Sequence, residues 1–123
     1  MSEKRLYLIR HGHTTWNGPP LRFQGQMDSS LSENGRAEAI ALGERMPYQP
    51  HRVISSPSLR CRQTVDCLFN RKPDQTERRC IELGLGWFEG HLASEHTCCH
   101  TAHALMRPSH IVKHVAKNTG SRW

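Results

Sequence analysis

Apolar and polar positions alternate with few regular stretches in this chain, and the most concentrated apolar run lies near its start. Leu6-Tyr-Leu-Ile9 suits a short strand covered on both faces, as parallel strands are. It stops abruptly at Arg10-His11-Gly12, where glycine lets the backbone turn tightly and approach a ligand. Gly18-Pro-Pro20 breaks regular structure, and Arg22 to Gln26 continues as loop. A helix is then predicted, with Ser32 as N-cap and Glu33 at the positive end of the dipole. Ala37, Ile40, Ala41, Leu42 and Met46 form its apolar face until Pro47 stops it.

Arg52-Val-Ile-Ser55 reads as a second strand. Ser56-Pro57 reads as the start of a second helix, with serine as cap and proline at the first helical position. Leu59, Val65, Leu68 and Phe69 then face the sheet. Asn70 to Arg79 is polar and reads as loop, Cys80-Ile-Glu-Leu83 as an extended segment, and Gly84 and Gly86 as a turn. Beyond Gly90 neither strand alternation nor a long amphipathic helix emerges.

The strand ends set the candidate chemistry. In open α/β sheets ligands bind beyond the carboxyl ends of the strands, which is where Arg10 and His11 fall. Guanidinium offers a planar fork of donors matched to phosphate oxygens, and a neutral imidazole keeps a ring nitrogen able to attack phosphorus. Read alone, the pair also suits a polar turn capping a strand, because short motifs recur by chance. The second joint repeats the geometry, bringing Arg60 to a helix N-terminus that favours anions.

Four stretches carry a resemblance. Arg10-His11-Gly12 with Thr14 and Asn17 is followed by Phe23-Gln-Gly-Gln-Met-Asp28 and Leu31-Ser-Glu-Asn-Gly35. Ser55 to Thr64 comes next, then Glu82-Leu-Gly-Leu-Gly-Trp-Phe-Glu-Gly90, with Trp87-Phe88 where an acid and then a tryptophan would be usual. In this order, over about residues 5–90, they resemble the histidine phosphatase superfamily, phosphoglycerate mutase-like, nearest its α-ribazole and broad-specificity phosphatase branch. The resemblance implies an α/β fold with a mostly parallel sheet flanked by helices, incomplete at its C-terminal side. It implies His11 as nucleophile, Glu82 as proton donor, and Arg10, Asn17 and Arg60 as phosphate ligands. Arg22 and Gln24 would stand at the substrate rim, and no metal or other cofactor is required.

The implied activity is hydrolysis of a small phosphorylated metabolite through a phosphohistidine, weakened if the C-terminal half is missing. Two alternatives stay open: a non-catalytic phosphate-binding remnant, and a mutase-type phosphotransferase. Residues 1–90 read as the N-terminal part of the domain, and residues 91–123 as an atypical tail that is truncated or out of frame. Six of the nine histidines fall in that tail, with Cys98 and Cys99. Ser109-His110 resembles the family's second-histidine segment only superficially, with no apolar strand before it and no glycine after it. His96-Thr-Cys-Cys-His-Thr-Ala-His103 has zinc-ligand residue types without the paired spacing of a structural site.

Composition narrows the class further. The 123 residues fit one domain, and no run approaches the ~20 apolar residues of a membrane span. Met-Ser-Glu-Lys-Arg has no apolar region of a secretory signal behind it, pointing to a cytoplasmic protein. Five cysteines without such a signal suit reduced thiols, with Cys61, Cys67 and Cys80 expected to be buried or half-buried. The net charge of +6 does not imply nucleic-acid binding: residues 1–90 hold 13 basic against 10 acidic residues, with no aromatic-interleaved basic run. Self-association through an exposed sheet edge is a further expectation.

Overall fold

A computed structural model describes residues 4–96 and 114–117. Cys98, Cys99, His100, His103 and His110 lie outside these residues, so the metal-type spacing and the second-histidine segment fall outside the described structure. The elements run β1 (Arg5–Leu8), α1 (Glu33–Arg45), β2 (Ile54–Ser55), α2 (Leu59–Phe69), β3 (Gln75–Thr76) and β4 (His114–Lys117).

The first helix begins as its residues dictate. Ser32 is extended, and its Oγ accepts the Gly35 N–H at 3.1 Å. Glu33 and Arg45 complement the two ends of the helix dipole. The face differs from the expected one: Gly35, Ala39 and Leu42 are buried, whereas Ala37 and Ala41 are exposed and Ile40 is 48% exposed. Small residues win this face because two backbones come close to it. A Cβ on Gly35 would run into the His13 backbone, and one on Gly43 into the Leu68 carbonyl. The core therefore lies between α1 and α2, built from Ala39, Leu42 and Leu68, with Ile9, Met46, Cys67 and Phe69 packed against it.

The second helix starts two residues later than expected. Ser58, not Ser56, is its cap residue and makes no side-chain cap bond. The Leu59 N–H is taken instead by Asp28 Oδ1 at 2.8 Å, a cap supplied from a distant loop. Asn70 closes the helix in the left-handed conformation, with its N–H on the Asp66 carbonyl.

The strands are short. β2 and β3 pair in parallel, Ile54 with Gln75 and Ser55 with Thr76; β2 falls where a strand was expected, and β3 inside the segment expected to be loop. Asp74 makes that pairing possible: its carboxylate accepts the Val53 N–H at 2.6 Å, and Arg71 donates to its other oxygen at 2.9 Å. β1 pairs antiparallel with β4, Arg5 with Lys117 through Leu8 with His114. An unpaired strand edge accepts either orientation, and antiparallel pairing needs only facing N–H and C=O groups. β1 is not covered on both faces: Leu6 is 57% and Leu8 60% exposed. Its core contact comes just beyond it, through Ile9.

Two further expectations are corrected. Cys80 is exposed, while Cys61 and Cys67 are half-buried free thiols. It lies in a short 3-10 turn, Arg78–Cys80, rather than in an extended segment, because Glu77 accepts the Arg79 N–H at 3.1 Å and winds the chain. Contacts continue past Gly90: Leu92 bridges Arg22, and the Ala93 N–H donates to the Leu21 carbonyl at 2.8 Å. Among the described residues no helix is long and apolar enough to cross a membrane.

Candidate active site

Beyond β1 the chain turns across the N-terminus of α1. The Ser32 N–H donates to the His13 carbonyl at 2.9 Å, the Thr15 N–H to the Ser30 carbonyl at 3.0 Å, and Thr14 bridges Leu31. The Gly12 N–H donates to Thr64 Oγ1 on α2 at 3.0 Å. Gly12 must be a glycine here, since a Cβ would lie 2.8 Å from the Gly35 carbonyl oxygen. The segment bearing Arg10 and His11 is thus held against both helices.

His11 is half-buried, and its Nδ1 lies 2.8 Å from the Gly12 carbonyl oxygen. A carbonyl only accepts, so Nδ1 carries the proton and Nε2 keeps its lone pair. Burial holds the imidazole pKa below the ordinary 6.5, and the Gly12 bond opposes that shift. The charges of Arg60 and then Arg10 lower it further, while that of Glu82 raises it. Those charges act on the ring from three segments: the residues just beyond β1, α2 and the 82–90 loop.

Arg60 is 2% exposed. Its Nη1 donates to the Met27 carbonyl at 2.9 Å and its Nη2 to the Gly25 carbonyl at 2.7 Å. Its Nε is buried without a hydrogen-bond partner among the described residues, a donor for which an incoming anion would be the natural acceptor. Arg10 is exposed. Asn17 uses Oδ1 to accept both the Thr14 N–H and the Thr14 hydroxyl, at 2.9 and 3.0 Å.

Glu82 is exposed; its Oε1 accepts the Leu83 N–H at 3.0 Å, and its main-chain carbonyl accepts from Gln26 Nε2 at 3.1 Å. Arg22 and Gln24 are engaged within the loops. Arg22 Nη1 donates to the Gly90 carbonyl at 2.7 Å, and Gln24 Oε1 accepts the Ser29 hydroxyl at 2.7 Å. Phe23 and Phe88 meet at a tilt across the same seam, with ring centroids 5.9 Å apart. Among the described residues, no group of three or more His, Cys, Asp or Glu is placed to hold a metal ion.

The sequence model of the histidine phosphatase superfamily, branch 1, matches residues 6–112. The chain belongs to that superfamily. It is 37% identical over 93 residues to a glucosyl-3-phosphoglycerate phosphatase of Mycolicibacterium vanbaalenii, covering 73% of this chain and 41% of that protein. It is 38% identical over 96 residues to a metal-independent phosphoserine phosphatase of Arabidopsis thaliana, covering 69% and 40%. Among solved structures, a mycobacterial glucosyl-3-phosphoglycerate phosphatase in complex with VO3 superposes with a TM-score of 0.70 at 32% identity, over 85% of this chain and 52% of that one. The Entamoeba histolytica phosphoserine phosphatase in complex with 3-phosphoglyceric acid gives 0.65 at 30% identity, over 76% and 47%. The fold is thus the α/β, phosphoglycerate mutase-like one. The chain spans about two fifths of the length of the curated relatives it matches.

Three further residues at the site escaped the sequence reading. Thr64, Asp28 and Glu89 all lie inside the stretches that carry the resemblance, but each works through a backbone group far away in sequence. Glu89 alone had a local signal: it is the second acid of the 82–90 loop, and a glycine follows it.

Proposed function

We propose that this chain hydrolyses a small phosphate monoester in two steps, with His11 as the nucleophile. The observation carrying this reading is the state of His11: proton fixed on Nδ1 by Gly12, neutral form favoured by burial and by two arginines, and the lone pair therefore left on Nε2. In the first step Nε2 attacks phosphorus, an N–P bond forms, the ester P–O bond breaks, and Glu82 gives its proton to the leaving oxygen. In the second, water attacks, the N–P bond breaks, and Glu82 takes up a proton from the water. Arg10, the Arg60 Nε and the Asn17 amide hold the non-bridging oxygens as preorganised donors. Arg22 and Gln24 stand behind the substrate rim, shaping it through the loops they tie.

The relatives named for glucosyl-3-phosphoglycerate and phosphoserine support a small phosphorylated metabolite as substrate. Residues 1–90 then supply the N-terminal part of the phosphatase domain, residues 91–123 an atypical His/Cys-rich tail that the family match enters as far as residue 112, and the setting is cytoplasmic. The test is incubation with an aryl phosphate followed by a search for acid-labile, base-stable phosphate on the protein. The expected result is a phosphohistidine and released phosphate, both lost in His11→Ala. Turnover that survives this substitution overturns the assignment. Binding of vanadate without turnover selects the phosphate-binding remnant, and transfer to an acceptor without net release selects the mutase.

A further inference from the structure

Arg60 and Glu82 stand on separate elements, and neither touches the other through a hydrogen bond recorded among the described residues. One carboxylate connects the two loops on which they depend. Glu89 Oε1 accepts the Gln26 N–H at 2.9 Å and the Leu85 N–H at 2.9 Å. The first bond holds the 25–27 segment, whose Gly25 and Met27 carbonyls receive both terminal nitrogens of Arg60. The second folds the 82–90 loop back on itself beside Glu82. Gln26, held by its N–H, also reaches across with Nε2 to the Glu82 carbonyl.

Two features mark the contact as built. Gly25 has φ +52° and lies so close to Glu89 that a Cβ would run into the carboxylate, so only glycine satisfies both the turn and the approach. The carboxyl of Glu89 is held below its usual range, first by the Gln26 and Leu85 N–H bonds and also by the charge of Arg60. It is ionised at neutral pH, and its two bonds are of the stronger, charge-assisted kind.

We propose that Glu89 is a positioning residue for the phosphotransfer site, setting the phosphate-binding Arg60 and the proton donor Glu82 relative to each other by clamping Gln26 and Leu85. The inference rests on the function proposed above. Glu89 acts through the 25–27 segment, whose carbonyls hold Arg60 and whose Gln26 Nε2 donates to the Glu82 carbonyl. A side chain serving the loops alone would affect stability and leave the site's selectivity unchanged.

The experiment uses the full chain, with Glu89→Ala, Glu89→Gln and Gln26→Ala. In Glu89→Ala, orthovanadate affinity falls about ten-fold, the size expected for loss of a charge-assisted hydrogen bond. The ratio of kcat/KM for an aryl phosphate over an alkyl phosphate rises by a similar factor, because only the alkoxide needs the Glu82 proton. Glu89→Gln, which keeps an acceptor oxygen, restores most of both. Gln26→Ala raises the ratio and leaves vanadate affinity unchanged. If Glu89→Ala does not fold, the aryl-to-alkyl ratio of Gln26→Ala decides alone, and a wild-type ratio there overturns the proposal. A folded Glu89→Ala that lowers Tm while both readouts stay at wild-type values overturns it as well. A wild-type chain with neither turnover nor vanadate binding defeats the functional reading instead. The clamp is then judged by amide exchange at Gln26 and Leu85 and by the Arg60 Nε–H resonance: faster exchange and a lost resonance in Glu89→Ala support it, and wild-type values overturn it.

Discussion

The Gly12 N–H, one residue after His11, donates to Thr64 Oγ1 at 3.0 Å. The same hydroxyl donates onward to the Arg60 carbonyl at 2.7 Å. One buried side chain therefore joins the turn beyond β1, next to His11, to the first turn of the arginine helix. The histidine and the arginine proposed to meet a phosphate are tied through a single hydroxyl.

Thr64→Val keeps the shape of the side chain and removes the hydroxyl, leaving the Gly12 N–H buried without its partner. An unsatisfied buried donor costs about 1–3 kcal/mol, so the urea midpoint falls accordingly. Thr64→Ser keeps the hydroxyl and recovers most of that loss. Equal stability of the valine variant and the wild type would show that Gly12 finds another acceptor.

Helical glycines are ordinarily improved by alanine, by about 0.5–1 kcal/mol. Gly35 and Gly43 reverse that sign, because a Cβ at either position would enter the backbone of His13 or Leu68. Overpacking of this kind typically costs about 1–3 kcal/mol. Thermal unfolding of Gly35→Ala and Gly43→Ala should show lower Tm for both. Gly35→Ala should also displace the loop carrying His13, read as chemical-shift change at Gly12 and Thr14.

Burial, with Arg60 and Arg10 adding to it, holds His11 below its ordinary pKa of 6.5. The neutral nucleophile then persists to lower pH, so the acid limb of kcat/KM lies below 6.5. The stability linkage has the same direction. The unfolded chain binds this proton more readily, so stability rises with pH between the lowered folded value and 6.5, is complete above 6.5, and is lost as pH falls through that window. Proton NMR titration of the His11 ring measures it directly. Arg10→Gln should move the midpoint up toward 6.5; a wild-type midpoint at or above 6.5 contradicts the burial argument.

Local rules made several features of this chain legible in advance. Ser32 caps α1 as its residue type and the glutamate after it suggest. Arg10-His11-Gly12 follows an apolar strand and leads into a tight loop, as an apolar run ending in glycine implies. The second helix was legible at its C-terminal end, though its start and cap were not, because the acceptor for Leu59 comes from Asp28, 31 residues away. β3 left no trace at all: Gln75-Thr76 has no strand composition and forms because Asp74 grips Val53.

By itself the sequence determined which groups are available and on which elements they ride: a histidine and an arginine at one strand end, a second arginine at a helix start, and an acid on a glycine-rich loop. Periodicity and capping report such choices because they act within a turn or two of the chain. Tertiary structure decided which face of α1 is buried, since the approach of the His13 and Leu68 backbones selects Gly35 and Gly43 over Ile40. It also decided how Arg60, Gln26 and Glu89 are joined, and how Thr64 meets Gly12. Those links are side-chain bonds to distant carbonyls and N–H groups, and a hydrogen bond across tens of residues imposes no pattern on the residues between its ends.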